Sequence, residues 1–229
     1  MAWDFGAQIH ALTGFNADDE SGTTETGDTY SVMANRWLTD AAKEVMNTLP
    51  RKLKIECATI TSLTSSTPMD LDATGEIFHA TRENADNGYH IGCREINPIY
   101  AGSSSDSTSL HYATATDPVY WIESDTGGDP KLFVNPTPTA NQPARIHHAA
   151  FPSIVFSATA IVNFPDEAEY LVVLRAAITA AEYMLAVEED PEIFIPMIQN
   201  LRKEYNDGLS MIISQSNPKE SKKLGDIQV

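Results

Sequence analysis

Residues 163–214 read NFPDEAEYLVVLRAAITAAEYMLAVEEDPEIFIPMIQNLRKEYNDGLSMIIS, and this stretch decides the fold. Asn163 or Phe164 precedes a helix in which Pro165 suits the first turn. Asp166 and Glu167 complement the positive end of its dipole. Ala168, Leu171, Val172, Ala176 (or Leu174), Ile178, Ala181 and Leu185 then make a broad apolar face. Its middle is built from Ala176, Ala177, Ala180 and Ala181, small enough to let another helix approach closely. After the break Glu188-Glu189-Asp190-Pro191, a narrower seam follows through Phe194, Met197, Leu201, Tyr205, Leu209 and Ile212. The pattern predicts helices over Pro165–Val187 and Glu192–Ser214, each roughly 33 Å long at 1.5 Å per residue. So short a connection makes them antiparallel neighbours.

Working outward, one more helical pattern lies near the N-terminus. Asp28 or Thr29 can cap it, Tyr30, Met33, Trp37, Ala41, Val45 and Leu49 recur on one face, and Pro50 ends it. Between the two helical regions the period changes. LKIECATI (53–60), GEIFHA (75–80), YHIGCREI (89–96), SLHYAT (109–114), PVYWIE (118–123), KLFVNP (131–136), ARIHHA (144–149) and SIVFSA (153–158) read as short strands. The turn-prone stretches NADNG, GSSSDS, DTGGDP and NPTPTANQP separate them. The expected fold is α+β: a small antiparallel helical bundle, one N-terminal helix plus a C-terminal hairpin, carrying an inserted antiparallel β-sandwich or barrel-like domain. The expected divisions are an N-terminal arm (1–28), a helical core (29–52 and 161–214), a β insert (53–160) and an extended tail (215–229). Trp37, Leu171, Ala181, Phe194 and Leu201 are expected in the helical core, from their spacing on the apolar faces.

Charge narrows the function. With 32 acidic and 15 basic residues the chain carries a formal charge of −17 and would repel a nucleic-acid backbone rather than grip it. The tail runs the other way. Lys219, Lys222 and Lys223 concentrate there, and Leu224, Ile227 and Val229 offer small apolar anchors for a docking peptide. The two cysteines, Cys57 and Cys93, sit in strand patterns among apolar neighbours and read as buried free thiols. No basic and apolar leader pattern opens MAWDFGAQIH, and no apolar run approaches about 18 residues, so neither secretion nor a membrane span is expected.

A search for chemistry returns little. No phosphate loop, nucleophile elbow or zinc-protease helix is present. His147 and His148 are adjacent on a strand and point to opposite faces, so they cannot easily share a metal. His79, His90 and His111 lie on different proposed strands, and Ser103-Ser104-Ser105 has no evident base. Asp18, Asp19 and Glu20 lack the spacing of a calcium loop. Neither a cofactor nor an enzymatic activity is expected.

The segments NRWLTDAAKEVMNTLP, CREINP, HYATATDPVYWIES, KLFVNPTPT, IHHAAFP, FPDEAEYLVVLRAAITAAEYML and IQNLRKEYNDGL together resemble virion structural proteins of tailed bacteriophages. More closely, the pattern over Tyr30–Ile213 resembles the head-to-tail connector, or adaptor, proteins of the phage neck. That resemblance implies a compact helical core, a ring commonly of twelve subunits, and C-terminal segments reaching toward the portal protein. It implies further contacts with downstream neck or tail proteins, passage of genomic DNA without specific binding, assembly in the host cytoplasm and residence in the virion. The large β insert departs from smaller adaptors, which have only a loop or hairpin there. The alternatives are another neck or tail component, or a β-type ligand-binding module on a helical stalk with Tyr112, Tyr120 and Trp121 as its platform.

Overall fold

The computed structural model describes residues 3–18, 29–72, 74–84, 88–188 and 190–216, with the backbone alone at 215 and 216. The chain divides into two compact units, Met1–Glu56 with Phe151–Val229, and Cys57–Ala150. The fold is α+β.

The first unit contains helices α1 (Phe5–Thr13), α2 (Tyr30–Thr48), the single turn α3 (Arg51–Lys54), α4 (Asp166–Glu188) and α5 (Pro191–Ser216). α4 is its axis, with α1, α2 and α5 packed against it. It is buried at Ala168, four consecutive residues from Leu171 to Leu174, Ala176–Ile178, Ala180 and Ala181, positions that pass right around the helix. By length and composition α4 is apolar enough to cross a membrane, where the sequence pattern suggested no such run. Its packing against three other helices accounts for that apolarity, because a helix with so many neighbours keeps little solvent face. Leu171, Ala181, Phe194 and Leu201 are all buried, whereas Trp37 is only half-buried.

Ala41, Val45 and Leu49 of the expected stripe are buried, but Trp37 is left at the margin because the buried face is shifted around the helix in the first half of α2. Its buried residues are Ala34, Leu38, Ala41, Ala42, Val45 and Met46. Tyr30, Met33 and Trp37 lie at the margin of that face. Two of them are occupied otherwise. Phe15 is fully buried with its ring 5.1 Å from those of both Tyr30 and Trp37 and 6.2 Å from Tyr183 on α4. Large rings fit at the edge of the bundle, while alanines are needed where the helix axes come closest.

Part of the segment expected as an arm is helical. Asp4 caps α1 by accepting from the Ala7 N–H at 2.7 Å, and Gly14 ends it in the left-handed region at φ 78°, its N–H donating to the His10 carbonyl. Residues 153–158, expected as a strand, pair with no sheet. Their backbone is held by side chains instead: Ile154 N–H donates to Thr39 Oγ1 at 3.1 Å and Phe156 N–H to Asn35 Oδ1 at 2.6 Å. In turn Phe5 and Gly6 donate to the carbonyls of Ala158 and Phe156.

The second unit is a sandwich of two four-stranded sheets built from β1 (Ala58–Leu63), β2 (Met69–Asp70), β3 (Thr74–Glu83), β4 (His90–Gly92), β5 (Arg94–Glu95), β6 (Val119–Ser124), β7 (Pro130–Asn135) and β8 (Ala144–Ala150). The strand orders are β1-β8-β3-β4 and β2-β7-β6-β5, antiparallel throughout except for β5 with β6. Met69, Leu71, Tyr120, Leu132 and Val134 from one sheet meet Ala80, Ala144 and Ile146 from the other in a shared core. Two expected strands differ. Residues 53–57 are helical, so β1 begins at Ala58, and residues 109–114 are a turn-rich segment. Cys57 and Cys93 are free thiols, and burial pushes that of Cys93 up to about 12.

Candidate assembly surfaces

Four charged side chains of the helical unit, Glu44, Arg175, Glu182 and Arg202, line one groove of about 250 Å³. Arg175 stands as a lone cation amid the apolar stretch of α4, and its Nε donates to Glu44 Oε2 of α2 at 2.7 Å. Arg202 of α5 donates from Nη2 to Glu182 Oε1 of α4 at 2.6 Å. Between them lies the buried Tyr205, whose phenol is raised by burial and by the nearby Glu44 carboxylate. These pairs lace α2 to α4 and α4 to α5. Being partly exposed, each contributes about 0–1 kcal/mol. What the groove offers is a charged contour in which cations and carboxylates alternate across three helices.

Histidines of the β unit are divided by strand alternation. His147 faces outward and stacks on His79 of β3, ring centroids 4.0 Å apart. Burial, and then the proximity of His79 and Arg145, lower its pKa. His148 points inward, shares a 2.9 Å hydrogen bond with Thr61 Oγ1, and is lowered by burial. Outside that stack, His90 lies 3.7 Å from Glu83, while His111 stacks on Tyr100. Among the described residues no three His, Cys, Asp or Glu side chains converge as metal ligands. Ser104 is buried, donating from Oγ to the Ala101 carbonyl and accepting from Asn135, which makes the serine cluster a structural tie.

The three aromatic residues considered as a ligand platform do not share a surface. Tyr120 points into the sandwich core, donates to Glu95 Oε2 at 3.0 Å, and is pushed up to about 12 by burial. Trp121, the next residue, faces the other way and stacks parallel to Phe133 at 5.5 Å. Tyr112 belongs to the loop that follows β5. A strand sends adjacent side chains to opposite faces, so Tyr120 and Trp121 cannot both contact one ligand.

The tail residues Lys219, Lys222, Lys223, Leu224, Ile227 and Val229 lie outside the described residues, as do Asp19 and Glu20. Sequence reasoning missed the Glu44–Arg175 and Glu182–Arg202 lacing. Its one available signal was Arg175, a cation in the middle of an otherwise apolar helical face. It also missed Ile99 and Leu110, which are strongly exposed on the β unit.

A family model described as SU10 adaptor protein matches residues 15–221, which takes in both units almost entirely. No curated protein matches the chain.

Proposed function

Because this chain belongs to the SU10 adaptor protein family, a family of phage structural adaptors and not an enzyme class, we propose that it is a head-to-tail connector of the virion neck. It forms a closed ring, most simply of twelve copies, below the portal, joining head to tail and lining the channel through which the genome leaves. The family match over 15–221 carries this reading. Two features support it. A helical unit laced by cross-helix ion pairs is a rigid scaffold for a ring subunit. A formal charge of −17 per chain repels phosphate, so DNA can slide past such a ring without adhering.

In this reading residues 215–229 dock on the portal, with Lys219, Lys222 and Lys223 meeting acidic groups and Leu224, Ile227 and Val229 contributing apolar contact. Downstream neck or tail proteins bind the opposite end of the ring. Assembly takes place in the host cytoplasm. Isolated subunits repel one another, so added salt promotes their association. Electron microscopy of purified particles, with mass measurement of the protein mixed with portal, tests the reading. A closed ring beneath the portal is expected. One copy per particle, or trimeric fibres alone, would rule the connector out.

A further inference from the structure

Residues 98–112 form a tied loop on the β unit. Ala113 N–H donates to the Ser104 carbonyl at 2.9 Å, Asn135 Nδ2 donates to the same carbonyl at 3.0 Å, and the Tyr100 and His111 rings stack with centroids 4.1 Å apart. The stack brings the two ends of the loop together, and Ile99 and Tyr100 flank it on one segment, Leu110 and Tyr112 on the other. All four are exposed, Ile99 by 79% and Leu110 by 92%. A fixed backbone that holds large apolar side chains in water marks a contact surface. The loop is also poor in charge. Among these residues only Asp106 carries one, in a chain of which 21% is Asp, Glu, Lys or Arg.

A concave surface lies on the same unit. β3 shifts register between Thr74 and Ile77 and again between Ile77 and His79. Such bulges bend a strand away from its neighbours. Beside this irregular stretch lies a cleft of about 460 Å³, lined by Leu71, Ile77, Tyr120, Ile122 and Pro130 together with the carboxylates Glu76 and Glu95. The loop is anchored by Asn135, opposite Val119 at one end of the β6–β7 pair, whereas the cleft includes Pro130 at the other.

We propose that the 98–112 loop of one copy seats in the cleft of the next. The inference rests on the ring reading above and names the contact that closes the ring. Projection and socket are different surfaces of one rigid unit, so the contact runs head to tail and repeats until the ring closes. The loop brings almost no charge of its own to the two carboxylates of the cleft, so copies of −17 each meet there with less repulsion than through two charged surfaces. Tyr100 and Tyr112 bring hydroxyl donors, and the Glu95 carboxylate, which already accepts from Tyr120, has lone pairs left to receive them.

The test is a double variant, Leu110→Cys with Ile122→Cys, in the full chain assembled into particles and treated with a short bismaleimide. Both side chains are exposed, so the melting curve should match that of the parent. Cross-linking should give a ladder of multimers on a denaturing gel, while either single variant stays monomeric. Particles that carry a normal ring yet yield only monomer overturn this contact and leave the connector reading standing. Absence of any ring in parent particles sinks the connector reading itself. A mixing experiment supplies a second measure. Leu110→Asp keeps its cleft and Ile122→Asp keeps its loop, so each alone fails to form rings and the two together stop at heterodimers. Rings formed normally by Leu110→Asp would equally overturn the proposal.

Discussion

Replacing Gly208 by Ala probes the close approach of α4 and α5. An ideal Cβ at this position of α5 would sit 2.7 Å from Leu171 Cδ2 of α4. That is well inside van der Waals contact, and Leu171 is only 2% exposed, so it has little room to rotate away. Two effects oppose each other. Exchanging Gly for Ala in a helix gains about 1 kcal/mol of propensity, while overpacking a closed core costs about 1–3 kcal/mol. In the parent, Gly208→Ala should therefore be neutral to destabilising by about 2 kcal/mol. Leu171→Ala alone should cost about 2–5 kcal/mol through lost burial and the cavity it leaves. In that background the new methyl enters the vacated space and the clash is gone, so Gly208→Ala should become stabilising by about 1–2 kcal/mol. The assay is equilibrium denaturant unfolding of all four proteins, followed by helical circular dichroism. If Gly208→Ala stabilises by the same amount in both backgrounds, within about 0.5 kcal/mol, the two residues are not in contact and the α4–α5 packing described above is wrong.

Three further outcomes follow from the same structure. Leu201→Ala on α5 should cost about 2–5 kcal/mol, and a loss under about half a kcal/mol would place that side chain at the surface. His148 and His147 both have pKa values lowered by burial, so the unfolded chain takes up protons that the folded one resists. Stability of the β unit should therefore be full above about pH 6.5 and decline as the pH falls below it, and His148→Gln should flatten that decline. The lowered carboxyls of Asp70 and Asp106 act only below the ordinary Asp range and do not mask this window, so a flat stability between pH 7.5 and 5 in the parent contradicts the burial of both rings. Deleting residues 215–229 should leave melting unchanged and weaken portal attachment, and unchanged affinity in a pull-down would make the tail a passive end.

How much of this was legible beforehand depends on the range of the interactions concerned. The C-terminal hairpin and its short break were readable because helical periodicity, the first-turn Pro165 and the acids beside it are local. The change to strand periods inside the chain marked the β insert for the same reason. The single-residue alternation that separates His147 from His148 also follows from chain geometry alone. Where two patterns competed, local signals failed. LKIECATI alternates like a strand, yet residues 51–57 are helical. SIVFSA is a short apolar run like a buried strand, but Thr39 and Asn35 of α2 accept from the Ile154 and Phe156 N–H groups, and it joins no sheet.

The sequence by itself determined the α+β class, the order of helical and strand regions, the strongly acidic net charge and the adaptor-protein resemblance. Composition and period are properties of neighbouring residues. Only tertiary structure decided how far round α2 the buried face extends, that α4 is buried around most of its circumference over residues 168–181, that Arg175 is answered by Glu44, and that the irregular stretch of β3 lines a cleft. Each of those depends on residues far apart in the chain meeting in space. At α2 and at residues 153–158 the local pattern admitted more than one arrangement, and packing against the neighbouring helices selected one.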